Sequence, residues 1–134
     1  MEGYRSNIEN ETIENNNFRK VVYTSKHSQL VLMSLKPEEE IGVETHKEND
    51  QFIRVESGHG ICLIDGHEYR LKDGDAVVIP AGAKHNVINT DKHEALKLYT
   101  IYSPPHHKDG IVRATKEFAE AHDEEFDGVT TEKK

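Results

Sequence analysis

His85 is the side chain whose surroundings most clearly prepare it for chemistry. Gly74, Pro80, Gly82, His85 and Asn89 follow one another at set intervals in GDAVVIPAGAKHNVIN. One imidazole cannot hold a divalent ion; three or four ligands must converge on it. An earlier segment offers groups of the right kind, with Glu44 and His46 flanking Thr45 and Gln51 five residues further on. Carboxylate, imidazole and amide oxygen are all competent ligands. Successive residues of a strand face opposite ways, so an extended Glu44-Thr45-His46 aims its first and third side chains to one side.

The elements that must position these groups read as short strands separated by turns. Asp73 and Gly74 make a turn, residues 76–79 form an apolar strand, Pro80 and Gly82 re-aim the chain, and His85 opens the next strand. Further strands are expected at residues 18–23, 29–35, 41–46, 51–56, 61–64, 67–71, 85–89 and 95–102. Gln51 is expected to open the strand paired with the one carrying Glu44 and His46. Asp65-Gly66 between two apolar strands is a strong hairpin signal. So many strands between residues 18 and 103 leave no room for helices on the sheet faces, which favours an all-β double-sheet jelly-roll barrel.

The interval glycine, five residues, proline, one, glycine, two, histidine, three, asparagine resembles the second motif of the cupin superfamily at every fixed position. The first cupin motif is usually a glycine, five residues, His-x-His, three or four residues, glutamate, six residues, glycine. On this chain Glu38 stands at the opening glycine, Glu44 at the first histidine, His46 at the second, Gln51 at the glutamate and Gly58 at the closing glycine. The resemblance spans roughly residues 30–102. It implies a double-stranded β-helix holding one divalent metal ion (zinc, iron, manganese or nickel) through Glu44, His46, Gln51 and His85, together with a small-molecule substrate and a homodimer.

Two histidines and a carboxylate are similar to the facial arrangement of non-haem iron oxygenases. The four ligand types together resemble the single-metal site of type I phosphomannose isomerases, with Glu and Gln exchanged in order. The implied activity is therefore a metal-dependent reaction on a hydroxy-carbonyl or sugar-like metabolite, of isomerase type, in which the ion polarises a carbonyl while a base moves a proton. A non-haem iron dioxygenase and a non-catalytic metabolite-binding or sensing barrel are the alternatives. The sequence assigns no catalytic base, and the motif strands offer no cationic clamp for a phosphorylated substrate.

A formal charge of -8 and a pI near 5.6 argue against nucleic acid and anionic membrane surfaces as partners. The first twenty residues are polar and acidic, with no signal-like or membrane-spanning run, so a cytoplasmic location is expected. Cys62, the only cysteine, lies among Ile61, Leu63 and Ile64 and reads as a buried inert thiol.

The chain divides into an arm (residues 1–17), a barrel (18–103) and a tail with a short helix (104–134). The Asn-rich stretch 7–17 reads as a loose arm or as an edge strand pairing with another subunit. Residues 115–122 are expected to form a helix capped by Thr115 and anchored by Phe118, with disorder beyond Phe126. His27, His59, His67 and His122 are expected to be solvated, His93 to lie on a loop at the barrel mouth, and Lys84 to face solvent. His106 and His107 are not expected to build a second metal site, because neighbours in an extended chain point apart.

Overall fold

A computed structural model describes residues 1–132 of the chain. Its strands are β1 (Arg19–Thr24), β2 (Gln29–Leu35), β3 (Glu44–Thr45), β4 (Asp50–Ser57), β5 (His59–Ile64), β6 (His67–Lys72), β7 (Ala76–Ile79), β8 (Lys84–Asn89), β9 (Leu96–Ser103) and β10 (Val112–Arg113). Two short helices flank them, α1 (Ile8–Glu14) and α2 (Lys116–Ala121). The strands form two antiparallel sheets, ordered β10-β1-β2-β9-β4-β7 and β3-β8-β5-β6. This is the double-stranded β-helix, an all-β barrel with a short C-terminal helix.

Period-two patterning builds the interior. In β9, Leu96, Leu98, Thr100 and Tyr102 are buried and the residues between them are not. Its neighbours present Val31, Met33 and Leu35 on one side and Ile53 and Val55 on the other, all fully or almost fully buried. Cys62 and Val87 close the layer from the facing sheet. Burial pushes the Cys62 thiol up to about 11, so it stays protonated and unreactive.

The inward rows are not uniform along the barrel. At one end the register sets Gln29 beside Tyr102 and Tyr102 beside Gln51, all buried. In the facing sheet Glu44 pairs with His85. At the other end Leu35 meets Leu96, and the Asn89 side chain ties the connections together. Its Nδ2 donates to the carbonyls of Leu35, Lys36 and Glu94, and its Oδ1 accepts from the Asp91 N–H. The motif asparagine is thus a structural staple, placed at the end of β8 away from His85.

The Asp65-Gly66 hairpin forms as expected, with Ile64 opposite His67 and positive φ at both turn residues. Strand pairing differs from expectation at Gln51. Its strand β4 lies in the six-stranded sheet, between β9 and β7, and not beside β3. The short chain from His46 to Asp50 crosses between sheets, so Gln51 lies in the sheet opposite Glu44 and His85 instead of on a neighbouring strand.

The termini are more built than their composition suggests. The arm folds into α1, capped by Asn7 through the Asn10 N–H, and packs on β9, β4 and β2 of its own chain. It is neither a loose arm nor an edge strand. The tail supplies β10 to the larger sheet and α2, whose cap is Thr115 accepting from the Phe118 N–H. The buried side chain of α2 is Ala119, while Phe118 is 48% exposed and stacks on His122. Beyond Phe126 the chain returns to β1, where the Thr131 N–H donates to the Thr24 carbonyl at 2.9 Å. Residues 133 and 134 lie outside the described ones. Among the described residues no helix is long and apolar enough to cross a membrane.

Candidate metal centre

Glu44, His46 and His85 converge at the polar end of the barrel. Their nearest ligand atoms all lie within 4.8 Å of one another, with Glu44 Oε2 3.5 Å from His46 Nε2. The two imidazole centroids are 5.1 Å apart. Two ligand atoms at bonding distance from a shared ion in tetrahedral geometry sit about 3.4 Å apart, so the spacing suits a common ion. Strand alternation in β3 puts the carboxylate and the first imidazole on one side, as expected. The Gly82 N–H donates to the His46 carbonyl at 2.9 Å and so fixes the residue just past the strand end.

Hydrogen bonding leaves the required atoms free. His85 Nδ1 lies 3.0 Å from the Ala83 carbonyl. A carbonyl only accepts, so Nδ1 carries the proton and Nε2 is left with its lone pair. His46 Nε2 is buried without a hydrogen-bond partner. Gln51 donates its Nε2 to Thr100 Oγ1 at 3.0 Å, which fixes the amide and leaves Oε1 buried without a partner. An orphaned buried imidazole nitrogen beside a carboxylate, and an orphaned buried amide oxygen, are donors of the kind a divalent cation satisfies.

Electrostatics point the same way. Burial lowers the His46 pKa to about 4, helped by the neighbouring His106, His85 and Arg19. The ring is neutral at physiological pH and available as a ligand. Burial raises the Glu44 pKa, against the opposing pull of Arg19 and His85. Tyr102 is pushed up by burial and then by Glu44, so its hydroxyl keeps its proton.

His106 and His107 join this site. Although adjacent in the chain, their rings lie 4.7 Å apart, and His106 lies 4.3 Å from His46. The extended-chain argument fails here because the segment is folded back across the barrel mouth. Gln29 accepts both backbone N–H groups at 3.1 and 2.9 Å and donates to the His107 carbonyl at 2.7 Å. Asn49 donates to the carbonyls of Pro104 and Pro105. Burial lowers the pKa of both imidazoles, with Arg19 the next cause. A cavity of about 340 Å³ opens beside them, with Arg19, Glu44, Ala119 and Asp123 also on its walls.

The sequence did carry a signal for this extension. Gln29 occupies an inward position in an otherwise apolar row, and Arg19 does so two residues before the buried Val21. Inward polar residues need partners. The remaining histidines behave as expected, with His27, His59, His67 and His122 exposed, as is Lys84. His93 is exposed too, but its loop follows Asn89 and so sits at the end of the barrel opposite the candidate centre.

Two antiparallel sheets closed around an inward cluster of two histidines and a carboxylate define a β-barrel with a candidate three-residue metal centre. Residues 31–102 match the Cupin domain model (Cupin_2), and the chain belongs to that family. It is 48% identical over 112 residues to an uncharacterized protein of Acanthamoeba polyphaga mimivirus, covering 81% of this chain and 70% of that one. It is 47% identical over 116 residues to the uncharacterized protein YrkC of Bacillus subtilis, covering 82% of this chain and 62% of YrkC, under two thirds of its length. A crystal structure from Bacillus halodurans superposes with a TM-score of 0.88 at 42% identity, covering 90% of this chain and 96% of that one.

Proposed function

We propose that the protein is a metal-dependent enzyme acting on a small hydroxy-carbonyl or sugar-like metabolite, of isomerase type. The observation that carries this reading is the orphaned pair of buried atoms, His46 Nε2 and Gln51 Oε1, with His46 clustered with Glu44 and His85, and Glu44 also lining a small cavity. Those four side chains would hold one divalent ion, zinc, iron, manganese or nickel. When bound, such an ion supplies Lewis acidity to a substrate carbonyl. The chain's own contribution is orientation and proton movement. Thr100 and Ala83 hold the side chains of Gln51 and His85 in place. His106, neutral and on the cavity wall, is the group best placed to accept a proton from the carbon next to a carbonyl.

A neutral Gln51 in the set keeps more positive charge on the centre than a second carboxylate would, which favours substrates that develop negative charge. The net charge of -8 supports a small-molecule partner over nucleic acid or an anionic membrane. A homodimer in the cytoplasm completes the proposal.

A second reading has its own support. Leaving Gln51 aside, Glu44, His46 and His85 make the two-histidine, one-carboxylate set suited to iron and oxygen. The deciding experiment incubates metal-loaded protein with hydroxy-carbonyl compounds in deuterated water and follows proton NMR alongside an oxygen electrode. Deuterium entering beside the carbonyl without oxygen uptake supports the isomerase. Oxygen uptake in the iron form supports a dioxygenase and overturns the first reading. Tight binding with neither signal assigns a sensing or carrier role.

A further inference from the structure

We infer that the substrate carries a carboxylate and that Arg19 binds it, a step that rests on the small-molecule reading of this cavity and narrows its substrate class. Arg19 stands at the start of β1, only 9% exposed, on the wall of the cavity shared with Glu44 and His106. Among the described residues no carboxylate lies within 4.0 Å of its guanidinium, and its buried Nε has no acceptor. Its direct contact within the chain is the Phe18 ring, 5.4 Å from Cζ, and the Glu44 carboxylate on the same cavity acts on it only from beyond 4.0 Å. An aromatic face offsets only part of what burying an unpaired charge costs.

Of the four other arginines, Arg5 and Arg70 are exposed to solvent and the remaining two have counter-ions. Arg54 pairs with Glu56 at 2.9 Å and Arg113 with Glu124 at 3.1 Å. A buried cation facing a cavity without one is arranged for an anion that arrives from outside. A single guanidinium fork matches one carboxylate through two parallel hydrogen bonds. Glu44, Glu120 and Asp123 border the same cavity and disfavour a dianion such as phosphate. A volume of about 340 Å³ suits a compound of a few carbons. A hydroxy-carbonyl acid in this cavity would meet Arg19 with its carboxylate and would lie against Glu44, the one member of the candidate centre on the cavity wall.

The test compares hydroxyacetone with hydroxypyruvate, which share the hydroxy-carbonyl unit and differ by a methyl for a carboxylate. Both are titrated by calorimetry into manganese-loaded protein. The wild type is expected to bind hydroxypyruvate at least ~10-fold more tightly. Arg19→Met should erase that preference, and Arg19→Lys should keep part of it, with metal content unchanged in both. Without ligand, Arg19→Met should unfold at the same or a higher temperature, because it removes an unpaired buried charge. Equal affinities in the wild type, or a preference that survives in Arg19→Met, overturn the proposal. So does a lower unfolding temperature for ligand-free Arg19→Met, which would make Arg19 a structural support. Failure of the metal reading looks different. Pyruvate would then still bind better than acetone to wild-type protein that takes up no metal, and Arg19 would still abolish the difference when replaced.

Discussion

The two ends of the barrel are built from the same strands and serve opposite purposes. At the end holding Leu35, Leu96 and Leu98, inward side chains are fully buried and apolar, and Asn89 satisfies every connection it reaches. At the other end the same rows continue as Gln29, Gln51 and Tyr102, across from the sheet carrying Glu44 and His85, and four buried polar atoms, on Arg19, His46, Gln51 and His107, are left without partners. About 20 Å of strand separates a region optimised for stability from one that sacrifices it. Unsatisfied buried polar groups are costly, so their concentration at one end marks the place where something else must bind.

Breaking the apolar end should have the largest effect on stability. Leu98→Ala removes a side chain with no exposed surface and should cost about 2–5 kcal/mol in denaturant unfolding while leaving metal content unchanged. A loss below about 1 kcal/mol would mean that this end is not the core.

Between pH 6.5 and 4 acid should act chiefly on the polar end. The His46 pKa is lowered to about 4 from a reference near 6.5, so the unfolded chain binds a proton that the native site refuses. That stability is present above pH 6.5 and is lost as pH falls from there toward 4. For metal-free protein His106 and His107 add to the loss from His46 with the same sign, and the raised pKa of Glu44 opposes it. Urea titrations across this window check it, and a flat profile would contradict the burial of neutral imidazoles.

Gln51→Glu sharpens the contrast because its sign depends on the ion. Without metal it buries a second carboxylate near Glu44 and should cost about 1–3 kcal/mol. With a divalent ion present it should tighten binding, measured as a larger rise in unfolding temperature on adding manganese. Equal behaviour of variant and wild type in both states would remove Gln51 from the ligand set. At the small end of the scale, Phe118→Ala should change stability by less than about 1 kcal/mol, since the ring is 48% exposed and Ala119 is what α2 buries.

The same contrast explains what the sequence made legible. Strand positions, the Asp65-Gly66 hairpin and the inward aim of Glu44, His46 and His85 follow from period-two patterning and turn chemistry, which are local. The sheet to which Gln51 belongs depends on the crossing from His46 to Asp50, which no local pattern encodes. His106 and His107 reach the site only because Gln29 and Asn49 grip the tail from residues 77 or 78 and 55 or 56 positions away. The inward position of Arg19 was legible, but its cavity was not, because that cavity exists only once β1, the β3 edge and α2 have come together. The helical arm around Ile8–Glu14 was obscured by its asparagines, one of which, Asn7, turns out to be its cap.

The most direct test of the claim that Glu44, His46, Gln51 and His85 meet to hold a cation is elemental analysis of protein purified without chelator, for the wild type and for a His46→Ala, His85→Ala double variant. The account predicts about one divalent ion per wild-type chain and essentially none in the variant, with the wild type losing thermal stability on chelation. Equal metal content in the two proteins would contradict it.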